Sequence, residues 1–285
     1  MIAYCAIAGG CKSLPAWLGG GSKPPTPHEA RPVPNGSRSG ARPANEANAG
    51  FGTAVNAVSL AFEVYRLDLP HVGDSRQSLK LWNHVDELRA DPEKVALRTR
   101  SGLRIGVFSR RAWPAIRTIL DACGAGVHRE RVPAPRGLPL TIEIGLIEEF
   151  ESIFWYSAGG RLAGKTFKVG KKLILIDYAV YGAMGGRIDL QVSFEVRHDR
   201  GVTTWERHGG VLTQVPAYDS HVFSDLAAVL PLNPGESLLI GPGSDAENDF
   251  LLGNRFMAYG RGGRRYEKLI IITPTTSPES NVAFR

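Results

Sequence analysis

The stretch Arg187-Ile188-Asp189-Leu190-Gln191-Val192-Ser193-Phe194-Glu195-Val196-Arg197 alternates apolar and polar residues without a fault. Side chains in a strand point to opposite faces at successive positions. Ile188, Leu190, Val192, Phe194 and Val196 therefore share one face, and Asp189, Gln191, Ser193, Glu195 and Arg197 share the other. A strand with one apolar and one polar face belongs to an antiparallel sheet with one side covered. The period-two pattern recurs at Thr141 to Ile147, Ser152 to Tyr156, Lys172 to Tyr178, Thr203 to Trp205 and Val211 to Val215. Further on, Leu226 to Leu232 and Ser237 to Ile240 flank the turn Asn233-Pro234-Gly235-Glu236. Arg255 to Tyr259 and Tyr266 to Thr273 flank Gly262-Gly263, which reads as a second hairpin.

Upstream of Val132-Pro133-Ala134-Pro135 the pattern is mixed. Ser59 to Leu69 reads as a strand with Leu60, Phe62 and Val64 on one face. Leu67 and Leu69 follow after a shift that suggests a bulge. Asp74 or Ser75 caps a predicted helix carrying Leu79, Trp82, Val85 and Leu88 at helical spacing. Asp91-Pro92 opens a second helix that stops at Gly102. Leu103 to Phe108 is a short strand, and Trp113, Ile116, Leu120 and Cys123 make the buried stripe of a third helix ended by Gly124. The fold class is α+β. A small β-α-α-β-α domain spans residues 53–131, a mainly antiparallel β domain spans 132–276, and a tail covers 277–285.

The chain has 285 residues and a formal net charge of +6. Residues 1–50 hold Lys12, Lys23, Arg31, Arg38 and Arg42 against Glu29 and Glu46, which is half of that excess. The other 235 residues are nearly balanced, so nucleic acid is disfavoured as a partner: a duplex-binding surface concentrates cations, because counterion release scales with the phosphates contacted. Residues 12–52 are dense in Pro, Gly, Ser, Ala and Asn, and this composition predicts a disordered linker. Three cysteines make no disulfide framework, and no apolar run is long enough to cross a bilayer as a helix.

Residues 1–11, Met1-Ile2-Ala3-Tyr4-Cys5-Ala6-Ile7-Ala8-Gly9-Gly10-Cys11, resemble a bacterial lipoprotein signal in which small residues precede the lipidated cysteine. The resemblance implies lipidation at Cys11, with acyl chains as a membrane anchor. The competing reading is the plain terminus of a cytoplasmic protein.

Three blocks in the last fifty residues resemble, in their order, the closing part of bacterial secretins. They are Gly235-Glu236-Ser237-Leu238-Leu239-Ile240-Gly241, Leu251-Leu252-Gly253-Asn254-Arg255-Phe256 and Lys268-Leu269-Ile270-Ile271-Ile272-Thr273-Pro274. The resemblance implies a cell-envelope protein, in the periplasm or lipid-anchored at the outer membrane. Such a protein acts as a scaffold or assembly component, through protein partners or self-assembly. It does not extend to pore formation.

The candidate chemistry is sparse. Asp219, His221 and Ser224 bring three catalytic residue types within six positions, but a triad draws its members from separate elements, and no G-x-S-x-G elbow occurs. Gly241-Pro242-Gly243-Ser244-Asp245-Ala246 fits a dinucleotide fingerprint in letters only, since no βαβ unit surrounds it, so no cofactor is expected. Asp245, Glu247, Asn248 and Asp249 offer oxygen atoms without EF-hand spacing. The seven histidines show no zinc spacing, so no metal is expected either. Arg255, Arg261, Arg264, Arg265 and Lys268, interleaved with Tyr259 and Tyr266, form the most basic patch. A non-enzymatic envelope protein is the preferred reading. The alternatives are a hydrolase with its site between the two domains and a phosphate or nucleic-acid binder using the basic hairpin 255–268.

Overall fold

A computed structural model describes residues 58–71, 77–134, 138–181, 186–208, 211–243 and 248–278. The signal and Cys11, the linker 12–52, Asp74, Ser75, the 244–247 part of the glycine loop and acidic run, and tail residues 279–285 lie outside the described residues. The described strands are β1 (Val58–Pro70), β2 (Leu103–Ser109), β3 (Gly126–Pro133), β4 (Leu140–Ile147), β5 (Glu151–Tyr156), β6 (Leu162–Phe167) and β7 (Gly170–Val180). They continue with β8 (Ile188–His208), β9 (Val211–Val222), β10 (Ala228–Leu232), β11 (Glu236–Pro242), β12 (Ala258–Arg261) and β13 (Arg264–Pro278). The α-helices are α1 (Gln77–Leu81), α2 (Pro92–Arg100), α3 (Trp113–Ala122) and α4 (Leu252–Met257). The α+β class, with antiparallel sheets predominating, is as expected.

One sheet runs β2-β11-β13-β1-β3, with β12 added to β13. A second runs β10-β8-β7-β4, with β9 added to β8. The β5–β6 hairpin stands apart. All pairings between these strands are antiparallel. Phe62, Val64, Ile105, Leu238, Ile240, Ile270 and Ile272 of the first sheet share a buried cluster with Ile142, Ile174, Ile176, Leu190, Val192 and Phe194 of the second. The two sheets therefore form a sandwich. On the other face of the first sheet, Leu67, Leu69, Phe108, Leu239, Leu269 and Ile271 pack with Leu81 of α1, the adjoining Trp82, and Ile116 and Leu120 of α3. The result is three layers, helices on sheet on sheet.

This layering corrects several expectations. The register of β1 on β13 is unbroken from Val58↔Pro278 to Pro70↔Tyr266, so no bulge separates Val64 from Leu67. Phe62 and Val64 face the second sheet, whereas Leu67 and Leu69 face the helices: the parity changes because each half of the strand is covered on a different side. The division between residues 131 and 132 also gives way. β1, β2 and β3 share one sheet with β11 and β13, and residues Thr53–Arg285 form one compact unit.

The helix expected through Leu88 stops earlier. After α1 and a 3-10 turn at Trp82–His84, Val85 is extended, and Asp86 makes a two-way backbone bridge to Val107 (2.7 and 3.0 Å). Leu88 is exposed. The bridge pairs the otherwise open outer edge of β2. The start of α2 follows the sequence: Asp91 accepts a hydrogen bond from the Glu93 amide at 3.0 Å, with Pro92 in the first turn.

The turn at Asn233–Glu236, with Gly235 at φ +80°, joins β10 in one sheet to β11 in the other, so it is a corner and not a hairpin. The Gly262-Gly263 turn does close a hairpin, β12 with β13. The strand expected at Arg255–Tyr259 begins only at Ala258. Residues 252–257 are helical because Leu252, Asn254, Phe256 and Met257 are all buried, which a strand with one covered face cannot achieve. Gly253 lets this helix sit on the Ser101-Gly102 turn. Its amide donates to the Ser101 carbonyl at 2.8 Å, and a Cβ there would fall 1.7 Å from the Gly102 carbonyl oxygen.

Candidate functional site

The five basic residues expected as one patch are divided by the fold. Arg261 and Arg264 flank the exposed tip of the β12–β13 hairpin, beside Asp68 and the stacked Tyr259–Tyr266 pair (5.3 Å between centroids). Lys268 points inward, donates to the Ile144 carbonyl and lies 4.7 Å from the Tyr259 ring. Burial lowers its ammonium pKa; Asp68 opposes that, and Lys172 and Arg66 reinforce it. Arg255 and Arg265 line a separate cleft. No continuous cationic surface results.

That cleft has a volume of about 690 Å³ and lies between the β4–β5 connection, α4 and the β12–β13 hairpin. Glu151 sits at its base and accepts two bonds from Lys172 Nζ (3.0 and 3.2 Å), with Arg255 Nε at 3.6 Å. Lys172 also donates to the Arg255 carbonyl (2.7 Å), tying β7 to the end of α4. Arg265 donates to Asp249 (2.7 Å) and to Asn254 Oδ1 (3.2 Å), while the Asn254 amide donates to the Asn248 carbonyl (2.6 Å). The cations of the cleft are thus engaged with its own acceptors. Glu148 and Glu149 make no ion pair with another described residue. Phe150 and Phe250, 74% and 54% exposed, stand at the rim.

The proposed catalytic trio does not converge. Asp219 is mostly exposed, 3.8 Å from Arg200. Ser224 begins a 3-10 turn whose geometry it serves through its carbonyl, bonded by the Ala227 amide. His221 packs among Trp155, Phe167 and Phe223 with ring centroids 4.9–5.6 Å away, and Lys165 Nζ lies 3.5 Å from its Nδ1. Burial and then Lys165 lower the His221 pKa, and the ring pins the β5–β6 hairpin to the second sheet.

The glycines of the fingerprint-like loop serve packing. A Cβ on Gly241 would meet Leu269 at 2.3 Å, and the Gly243 amide bonds the Gly102 carbonyl at 2.7 Å. Among the described residues, no group of three or more His, Cys, Asp or Glu is placed to hold a metal ion.

Sequence reasoning missed two ionised groups. Glu195, expected on a solvated face, is 1% exposed: Arg197 donates to both its oxygens (2.8 Å each) and Ser220 adds a third bond at 2.6 Å. Arg98 is equally buried, bonded to the Ala227 carbonyl at 3.3 Å, and burial pulls its pKa down to about 10 against the pull of Asp91 and Glu87. Neither lines the cleft. The cleft itself had one signal in the sequence, the run Glu148-Glu149-Phe150-Glu151, where two acids and an aromatic ring interrupt two strands.

No protein-family model and no curated protein matches the chain. Among solved structures, 79% of the chain aligns with the Salmonella SPI-1 type III secretion injectisome secretin InvG at 12% identity and a TM-score of 0.24. An atomic model of the Salmonella injectisome basal body proteins InvG, PrgH and PrgK gives the same coverage, identity and TM-score. The InvG secretin-domain β-barrel gives 12% identity and a TM-score of 0.22. The alignments span 66%, 47% and 65% of those chains, under two thirds of their length. The resemblance to secretins in structure is weak, and an overlap this loose carries no argument about topology or activity.

Proposed function

We propose that the protein is a non-enzymatic component of the bacterial cell envelope, a scaffold or assembly module of secretin-like character, anchored through Cys11. The observation that carries this reading is the arrangement of the three closing blocks. Leu238, Leu239 and Ile240 of the first pair with Ile272, Ile271 and Ile270 of the third at the centre of a sheet. The second block, Leu251–Phe256, is the buried segment next to them. The blocks thus act together as one structural unit.

The test is fractionation with metabolic palmitate labelling of the wild type and of Cys11→Ser. The expected result is label in the membrane fraction for the wild type, and an unlabelled, released protein for the variant. Unlabelled wild-type protein in the soluble fraction would overturn the anchor and the location.

A further inference from the structure

The cleft contains an open strand edge. Among the described residues β12 pairs only with β13, so its second edge borders the cleft through Ala258, Tyr259 and Gly260. In an antiparallel pair, residues alternate between bonding each other and pointing their backbone groups outward. The Arg265 carbonyl accepts from His71 on the far side of β13 (2.8 Å), so the Gly260↔Arg265 pair is one that points outward. The amide and carbonyl of Gly260 are therefore aimed at the cleft. Ala258 has the same parity, but its amide is already bonded to the Asn254 carbonyl, which leaves its carbonyl for the edge.

Three further observations agree on what fits there. Gly260 has no side chain, and a Cβ at that point would meet only the Arg264 carbonyl oxygen at 4.0 Å, so another backbone can approach closely. Glu148 and Glu149 line the cleft without an ion pair to another described residue, and its lining holds four carboxylates against three cations. Phe150 and Phe250 present exposed rings at the rim.

We propose that this cleft binds an extended segment of a partner protein by strand addition to β12, with basic side chains at Glu148 and Glu149 and apolar ones on Phe150 and Phe250. The proposal rests on the assembly reading above and supplies the local chemistry of the partner: alternating basic and apolar residues in an extended chain.

The test uses the full chain and fluorescein-labelled decapeptides of alternating Lys and Val or Phe, followed by fluorescence anisotropy. A peptide with Glu in place of Lys should fail to bind. N-methylation of one alternate set of peptide amides should weaken binding about tenfold for each hydrogen bond lost, and methylation of the other set should leave it unchanged. Because the Gly260 amide points outward at an edge, Gly260→Pro should keep the native circular dichroism while losing the peptide. Glu148→Gln with Glu149→Gln should weaken binding by about two- to fivefold per charge and flatten its salt dependence. Equal affinity for the Lys and Glu peptides, or indifference to both methylation sets, would overturn the proposal. So would sedimentation showing a dimer of this chain that Gly260→Pro abolishes while no peptide binds. Envelope localisation without peptide binding would remove the cleft assignment alone. Peptide binding by a protein absent from the envelope would remove the location alone.

Discussion

The two sheets of the sandwich bury their strands on different terms. In the first, β13 contributes Leu269, Ile270, Ile271 and Ile272 in succession, all buried, because helices cover one face and the second sheet covers the other. In the second, β8 buries Leu190, Val192 and Phe194 on one face, while its other face runs from the partly buried Asp189 and exposed Gln191 to the buried polar Ser193 and Glu195. An unbroken apolar run thus reports two covers, and strict alternation reports one. Where the one-cover rule fails, at Ser193 and Glu195, the buried groups are polar, and the Glu195 carboxylate is held by a guanidinium and a hydroxyl.

The sharpest way to break this contrast is to place a charge at equivalent-looking positions in each sheet. Ile271→Asp would bury an unpaired carboxylate between sheet and helices and should abolish cooperative thermal unfolding, whereas Gln191→Asp should shift the midpoint by a degree or two at most; about 0.5 kcal/mol is typical of an exposed site. A similar loss in both variants would show that the outer face of the second sheet is covered after all.

A smaller effect is expected at Glu195. Glu195→Ala leaves Arg197 without its acceptors and should cost about 2–3 kcal/mol by urea titration, less than a fully enclosed pair because Arg197 is partly exposed. Burial alone would raise the Glu195 pKa, but the bonds from Arg197 and Ser220 outweigh it and hold the value below that of an ordinary carboxylate. Its contribution is therefore present above the unfolded-state value and fades as pH falls through the folded one. The variant should lack that part of the acid sensitivity.

The least effect concerns the attachment of the β5–β6 hairpin to the second sheet. Because the His221 pKa is lowered in the fold, the unfolded chain takes up its proton first. Stability should then fall as the pH drops below about 6.5, the ordinary histidine value. His221→Phe should flatten that slope and leave the stability at pH 8 nearly unchanged, as read from melting curves across pH. A slope that survives the substitution would place the titrating group elsewhere.

Much of this fold was legible in the residues. The alternation of β8, the Asp91-Pro92 start of α2 and the Gly262-Gly263 hairpin are local signals, and local signals survive packing. What stayed hidden was set by distant partners. β3, to which no strand pattern points, has little apolar content because it lies at a sheet edge, where Arg129 and Glu130 pair with Glu63 and Arg66 of β1. The corner at Gly235 looks like a hairpin because a turn's chemistry does not say which sheet receives the next strand. Similarly, the basic residues from Arg255 to Lys268 are neighbours in sequence but are parted by a helix end and by strand pairing, which no spacing rule anticipates. The cleft was the least visible feature, since its walls come from four separate stretches of chain.

The pairing of β1 with β13 also has a kinetic meaning. The Thr275 hydroxyl bonds the Ala61 carbonyl across a separation of 214 residues, so the first described strand must wait for the last before its sheet can close. During synthesis β1 and β2 emerge with apolar faces that fit a second sheet not yet made. Loop-closure entropy over that distance makes folding slow, and the unfinished sheet is the state most open to aggregation or to capture by a chaperone.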